Sequence, residues 1–72
     1  MELKLFVEDL KGYIDTYTDV KKIKIEKKEK KNVLKIEYWL STKEDEIIPL
    51  NEIRLAFMVD LNTMIEMFRY EK

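Results

Sequence analysis

A chain of 72 residues predicts one small domain, which buries only about 60% of its unfolded surface and is therefore marginally stable. It contains no cysteine and no histidine, which excludes disulfides and removes the usual ligands of zinc, iron and copper. The same absences remove the commonest general base and the thiol nucleophile, so we expect neither an enzyme nor a bound cofactor or metal. Charged residues make up 40% of the chain, and no apolar run approaches the roughly 20 residues that span a bilayer. We therefore expect a soluble, cytoplasmic protein without membrane contact.

The net charge is −1, but the charges are unevenly distributed along the chain. Residues 1–19 carry two lysines and five acidic residues, and residues 36–52 carry one lysine and five acidic residues. Between them, residues 21–35 carry eight lysines and two glutamates. Such a polarised surface affects association with charged partners and is no argument about the fold.

The first element predicted from the sequence is a helix over residues 2–17. Its apolar residues follow steps of three and four, which places them on one stripe. The members of this stripe are Leu3, Phe6, Val7, Leu10, Ile14 and Tyr17. Gly12 argues against the helix, because glycine costs about 1 kcal/mol relative to alanine in a helix interior.

Residues 20–42 predict a β-hairpin. Apolar and polar side chains alternate on both sides of a polar tip, which is typical of a half-buried strand pair. The alternating apolar residues are Ile23, Ile25, Leu34, Ile36, Tyr38 and Leu40. The tip consists of residues 27–32, four of which are lysines.

Two registers of this hairpin keep its apolar residues on one face. The first pairs Ile25 with Ile36, leaves a two-residue turn, and sets opposite charges across from each other, worth roughly 0.2–1 kcal/mol per pair. The second pairs Ile25 with Leu34, leaves a four-residue loop, and sets Lys24 against Lys35. The turn of the first register would be formed by two lysines, which are poor residues for a tight primed turn. Both registers stay open on the sequence.

The segment after the hairpin predicts a short third strand over residues 46–49. Pro49 cannot donate to a ladder, so this strand must lie at a sheet edge or end there. Asn51 then predicts the N-cap of a long C-terminal helix, with Leu50 and Leu55 spaced as a hydrophobic staple.

The same C-terminal segment permits a second interpretation, in which residues 53–59 form a strand and Asp60 caps a shorter helix beginning at Leu61. The staple and the lack of turn residues near Met58 favour the long helix. The predicted fold is therefore one two-layer α+β domain over residues 1–72, with two helices packed on one face of a two- or three-stranded antiparallel sheet.

The lysine-rich hairpin is the first candidate site. A basic β-ribbon with aromatic side chains suits phosphate contacts and base stacking in nucleic acid. The alternative is a solvated strand face without a binding function, whose lysines block edge-to-edge pairing. This alternative is favoured because the hairpin has no arginine, the residue that makes most specific base contacts. The candidate residues are Lys22, Lys24, Lys27, Lys28, Lys30, Lys31, Lys35 and Trp39.

The second candidate site is a dimer interface on the predicted C-terminal helix. Several apolar residues fall outside its main stripe, and a helix that is apolar nearly all round is buried on more than one side. A second copy of the chain is the simplest cover for these residues. They are Leu55, Met58, Val59 and Met67.

These features together predict a non-enzymatic protein-interaction module. We expect a small regulator, adaptor or inhibitor, of the kind that phages and other mobile elements encode, which acts as a homodimer on an unidentified protein partner. The alternative is a nucleic-acid-binding protein that uses the lysine-rich hairpin of residues 21–35. No resemblance to a known family can be tied to particular residues.

Overall fold

The chain forms one antiparallel sheet of six strands. The computed structural model describes residues 3–60 and 63–70. The strands are β1 Leu3–Asp9, β2 Ile14–Lys28, β3 Lys31–Tyr38, β4 Glu46–Pro49, β5 Ile53–Asp60 and β6 Thr63–Arg69, with a 3-10 helix Leu50–Glu52 between β4 and β5. Their order across the sheet is β4-β3-β2-β1-β5-β6. The predicted α+β class is therefore wrong, because the described chain is all-β.

The predicted N-terminal helix is replaced by β1, a turn and the first part of β2. Leu5 and Val7 are buried, whereas Phe6 between them faces the opposite side of the sheet. Because both faces of this strand carry apolar side chains, the sequence shows apolar residues at helical as well as strand spacing. The helical pattern combined residues from the two faces of β1.

The turn between β1 and β2 is built by Asp9 and Gly12. Oδ1 of Asp9 accepts hydrogen bonds from the backbone N–H groups of Lys11 and Tyr13 at 2.9 and 3.0 Å. The backbone N–H of Gly12 donates to the carbonyl of Asp9, and Gly12 adopts φ +93°, where a side chain would be strained. Gly12 is therefore a turn residue and not a helix residue.

The predicted long C-terminal helix is also wrong, and the alternative strand over residues 53–59 is confirmed as β5. The helix expected after Asp60 is wrong as well, because Thr63–Arg69 is strand β6. Leu61, its predicted first residue, lies outside the described residues. The staple and cap signals at Leu50 and Asn51 instead belong to the short 3-10 helix, which has no side-chain cap. The apolar surplus arises because β5 is apolar on both faces.

The predicted hairpin is confirmed, with the second of its two registers. Ile25 pairs with Leu34, and Lys24 lies opposite Lys35. The predicted four-residue loop of residues 28–31 is shorter in the structure, because Lys28 pairs with Lys31 and a two-residue turn of Glu29 and Lys30 closes the hairpin. The third strand is confirmed as β4, at an edge of the sheet where Pro49 needs no ladder donor.

Strand β2 joins two halves of the sheet. Its N-terminal part pairs with β1 and its C-terminal part with β3, and Val20 has partners on both sides. Both ladders shift register next to Val20, and Asp19 adopts φ +58° there. Such irregularities bend a strand and increase its twist. We therefore describe an N-terminal half, formed by the start of β2 with β1, β5 and β6, and a hairpin half, formed by the end of β2 with β3 and β4.

The core lies between these two halves. The fully buried side chains include Leu5 and Ile53 from the N-terminal half and Leu34 and Ile36 from the hairpin half, with Val20 at the junction. Half-buried residues of both edge strands pack against the same cluster, which requires the sheet to fold over on itself. The shortest dimension of the molecule is 17 Å, which suits two layers about 10 Å apart. Within the described residues, no helix is both long and apolar enough to pass through a membrane.

Candidate interaction surfaces

The N-terminal half presents apolar side chains on the face that points away from the core. The register places Phe6 directly opposite Phe57, and Val59 directly opposite Met64, so these four side chains share one face of three adjacent strands. Leu55 lies on the same face of β5 by alternation. We call these five residues the outer apolar face. Met64 is 65% exposed, the other four are half-buried, and no described element packs over them as a third layer.

This surface contains only two residues of the predicted dimer interface. Leu55 and Val59 belong to it, but Met58 pairs with Leu5 on the core side of β5. Met67 packs against the core cluster. Sequence reasoning missed Phe6 and Phe57 because it assigned both to the core stripes of helices. Residues 53–59 carry apolar side chains at both odd and even positions, as a strand with two apolar faces does. This pattern is the signal that would have revealed Phe57.

Charged residues surround the outer apolar face, and they form pairs within the chain. Arg54 donates to Oε1 of Glu8 at 2.7 Å, and Arg69 contacts Oε1 of Glu66 at 2.8 Å. Lys4 lies opposite Val59 at another margin of the face. An apolar centre with a polar rim of both signs is the usual anatomy of a protein–protein contact.

The outer face of the hairpin half is charged. We call its residues on β2 and β3 the charged face; they are Lys22, Lys24, Glu26, Lys35 and Glu37. Although Lys24 and Lys35 lie opposite each other, each reaches a diagonal glutamate. The nitrogen–oxygen distances are 3.6 Å for Lys24–Glu37 and 4.0 Å for Lys35–Glu26, and Asp45 lies 3.7 Å from Lys35. These diagonal pairs offset the repulsion that counted against this register.

Lysines that form no ion pair with a described carboxylate are concentrated at the hairpin tip. Its four lysines are exposed, and none forms an ion pair with another residue that the structure describes. These lysines are Lys27, Lys28, Lys30 and Lys31. The turn that displays them is strained, because Glu29 and Lys30 adopt φ of 51° and 69°, a region that favours glycine or asparagine.

Trp39 is far from this tip, so the predicted basic and aromatic site does not form one cluster. It follows the end of β3, and the eight residues of that strand span about 25 Å. Its ring is 54% exposed and lies 5.3 Å below the ammonium of Lys21, not below Lys22 or Lys24. A cation–π contact of this kind is sufficient to explain the position of the ring.

Two tyrosines on the inner side have raised pKa values. Burial, followed by the nearby charge of Glu46 and then by Tyr17, raises the pKa of Tyr38 to about 12. Burial, with Asp15 and Glu46, also raises the pKa of Tyr17. Both phenols therefore stay protonated at neutral pH, and their acidity does not indicate proton-transfer chemistry.

Two open clefts on the described part of the surface bring together no recognisable set of catalytic groups. One, of about 210 Å³, is lined by Lys31, Asn32, Pro49, Leu50 and Asn51. The other, of about 300 Å³, is lined by Asp9, Leu10, Lys11 and Glu52. The described residues contain no cluster of three or more side chains that could hold a metal ion. The predictions of no enzyme and no cofactor stay predictions.

Comparison of the chain with family models, with curated proteins and with solved structures gives no match. The functional argument therefore depends on the surfaces described above.

Proposed function

We propose that the protein is a non-enzymatic protein-interaction module of the cytoplasm that forms a homodimer through its outer apolar face. The observation that carries this proposal is the cross-strand pair of Phe6 and Phe57, which Leu55, Val59 and Met64 flank and which Glu66 borders on β6, on a sheet face that no described element covers. Contiguous apolar patches that are wholly or partly open to solvent on small proteins mark interaction sites. In a two-fold contact the same patch serves both copies, which places phenylalanines against phenylalanines or aliphatic neighbours.

The size of the molecule supports a second copy as the occupant. Its two longer dimensions are 34 and 29 Å, so a whole side of the molecule projects at most about 1,000 Å², and the outer apolar face forms the centre of one such side. A standard interface needs about 800 Å² per partner. Two curved sheets of matching twist also pack well face to face. Because most of the apolar side chains are already half-buried, we expect a dissociation constant on the order of micromolar.

Charge on the rim supports the same arrangement. The pairs Glu8–Arg54 and Glu66–Arg69 are formed within one chain, so a partner can cover the apolar centre without leaving these charges unpaired. Lys4, Arg54 and Arg69 against Glu8 and Glu66 leave a net charge of only +1 around the face, so a second copy meets no strong repulsion.

Sedimentation velocity of the unmodified protein and of Phe57→Lys tests the dimer. The unmodified protein should change from monomer to dimer as its concentration rises to hundreds of micromolar, and Phe57→Lys should stay a monomer with an unchanged circular dichroism spectrum. The matched control is Ile47→Lys, which places a lysine on the outer side of β4 and should leave the dimer intact. A clean monomer mass for the unmodified protein at hundreds of micromolar would contradict the proposal.

Nucleic-acid binding by the hairpin tip is the second candidate function. The observation that favours it is the group of four exposed lysines without ion pairs. Phosphate contacts by lysine release counterions, so binding should weaken steeply as salt increases. Lys28→Glu with Lys31→Glu should abolish a gel shift at low salt, whereas Lys4→Glu with Lys11→Glu changes the net charge equally and should leave it. No shift of DNA or RNA at low salt would remove this candidate.

A further inference from the structure

The part of β2 near the hairpin tip has an unpaired edge. Residues 22–28 pair with β3 on one side. On the other side the described part of β1 begins at Leu3, which lies opposite Val20, so its ladder with β2 does not reach residues 23–28. Of the strands that the structure describes, none pairs with Ile23–Lys28 on that side. Every second backbone N–H and C=O of this stretch points along the sheet toward the vacant position.

Side chains along this edge alternate in chemistry. Ile23 and Ile25 point to the inner side, and Ile25 is 52% exposed although it belongs to the apolar set of the hairpin. Lys22, Lys24, Glu26 and Lys28 point to the outer side, and Lys27 points to the inner side. A strand added here would place alternate side chains beside the isoleucines and Lys27, and the others beside an outer row that is mostly lysine.

The positive charge of this edge determines which kind of strand can pair with it. A second copy of this edge would bring lysines against lysines, which is the device that proteins use to prevent edge-to-edge self-association. An acidic strand meets the opposite condition, because residues 22–28 of this edge carry four lysines and one glutamate. Lysines that exclude a like-charged edge therefore select an acidic one.

We propose that the edge Ile23–Lys28 binds an extended peptide in which acidic residues alternate with apolar ones, by addition of the peptide as a strand next to β2. The main-chain hydrogen bonds of the added strand supply affinity, and the alternating isoleucines and lysines supply selectivity. This site is independent of the dimer, which uses the opposite half of the molecule.

The test is a titration of the isotope-labelled protein with a synthetic peptide of about eight residues that alternates glutamate and valine, followed by amide hydrogen exchange. Amides in β2 alternate between those bonded to β3 and those directed to the open edge. Strand addition should slow exchange at every second residue of Ile23–Lys28, on the open-edge amides. Uniform small shifts on lysine side chains without this alternating protection would mean nonspecific charge attraction and would overturn the proposal.

Matched peptides and variants identify the occupant. A peptide with lysine in place of glutamate should not bind, and an acidic peptide with proline at alternate positions should lose the protection. Lys22→Glu with Lys28→Glu should weaken the acidic peptide about tenfold or more, whereas Lys4→Glu with Lys11→Glu should have little effect. If single-stranded DNA binds as tightly as the acidic peptide and gives no alternating protection, the lysines bind nucleic acid. If alternating protection appears without peptide and rises with protein concentration, the edge binds a second copy of the chain. Either result would overturn the proposal.

Discussion

The two outer faces of this sheet have opposite chemistry, although one strand, β2, joins the halves that carry them. The outer apolar face has a centre of Phe6 and Phe57, whose rings lie on adjacent strands with nothing described above them. The charged face has Lys24 and Lys35 at its centre, and each forms a diagonal ion pair. One face can gain free energy by leaving water, and the other would lose hydration by doing so.

The difference shows which surface contributes to folding and which is available for association. A charged face whose Lys24 and Lys35 already form ion pairs with glutamates is stable in water without a cover. An apolar face contributes little to the stability of a monomer while it stays wet, and its contribution appears only when another surface covers it.

The largest expected effect is a loss of stability that differs between two neighbouring residues of β1, because one faces the core and the other faces the outer side. Leu5→Ala removes a fully buried side chain and should lower the free energy of unfolding by about 2–5 kcal/mol, enough to unfold much of a marginal domain. Phe6→Ala should cost the monomer less and should remove the dependence of the melting temperature on protein concentration. Urea denaturation at low protein concentration, with melting curves at several concentrations, measures both. Equal losses from the two changes in the dilute monomer would mean that Phe6 is covered by its own chain.

The next effect is a loss of stability at high pH, which tests the buried tyrosine Tyr38 on the inner side of the hairpin half. The pKa of Tyr38 is about 12 in the folded protein, against an ordinary value of 10.0. Because its folded pKa is raised, the stabilisation is fully present below pH 10 and is lost as the pH rises toward 12. The loss should be at most about 2–3 kcal/mol, because solvent that reaches the phenolate reduces it. Urea denaturation at intervals across this range measures it, and Tyr38→Phe should make the curve shallower, while Tyr17, whose pKa is also raised, keeps part of the slope. A Tyr38→Phe variant that loses stability as steeply as the unmodified protein would assign the effect to other groups.

The hairpin and β4 could be predicted from the sequence because their faces differ in polarity. Ile23, Ile25, Leu34 and Ile36 share the inner side of the hairpin, and charged residues occupy the other apart from the buried Val33, so period-two alternation is visible. Pro49 then restricted β4 to an edge. Where one face is buried and the other wet, a single sequence carries enough information to identify the strand.

The N-terminal half could not be predicted in the same way because its strands are apolar on both faces. In β1 the residues Leu5, Phe6 and Val7 are consecutive and apolar, and β5 shows the same property around Phe57. A continuous apolar run fits a helix and a strand equally well by periodicity alone. The apolar side chains on the second face of β1 and β5 concealed these strands in the sequence. The same side chains form the outer apolar face, over which no described element packs. Gly12 was the available signal, since its turn geometry is incompatible with a helix interior.

A smaller effect is expected at the strained turn of the hairpin tip. Glu29 and Lys30 both adopt left-handed backbone conformations, which cost roughly 1–2 kcal/mol per residue for side chains other than glycine. Replacing Glu29→Asn together with Lys30→Gly should therefore stabilise the protein by about 1 kcal/mol or more without changing either outer face. The control is Lys31→Gly, at a strand residue, which should destabilise by about 0.5–1 kcal/mol. Thermal unfolding of the three proteins measures this, and a double variant less stable than the unmodified protein would contradict the turn geometry.

The smallest effect concerns the ion pairs of the charged face. Lys24 and Glu37 are 3.6 Å apart and both are partly exposed, so a double-mutant cycle with alanine should give a coupling of only about 0.2–1 kcal/mol. Salt separates this face from the other, because screening weakens ion pairs but does not weaken apolar contacts. Between low salt and about 1 M sodium chloride the Lys24–Glu37 coupling should fall toward zero, while dimerisation through Phe57 should hold or strengthen. The cycle is measured by urea denaturation and the dimer by sedimentation at the same salt concentrations. If dimerisation instead weakened in parallel with the ion pair, charge and not the outer apolar face would hold the two copies together.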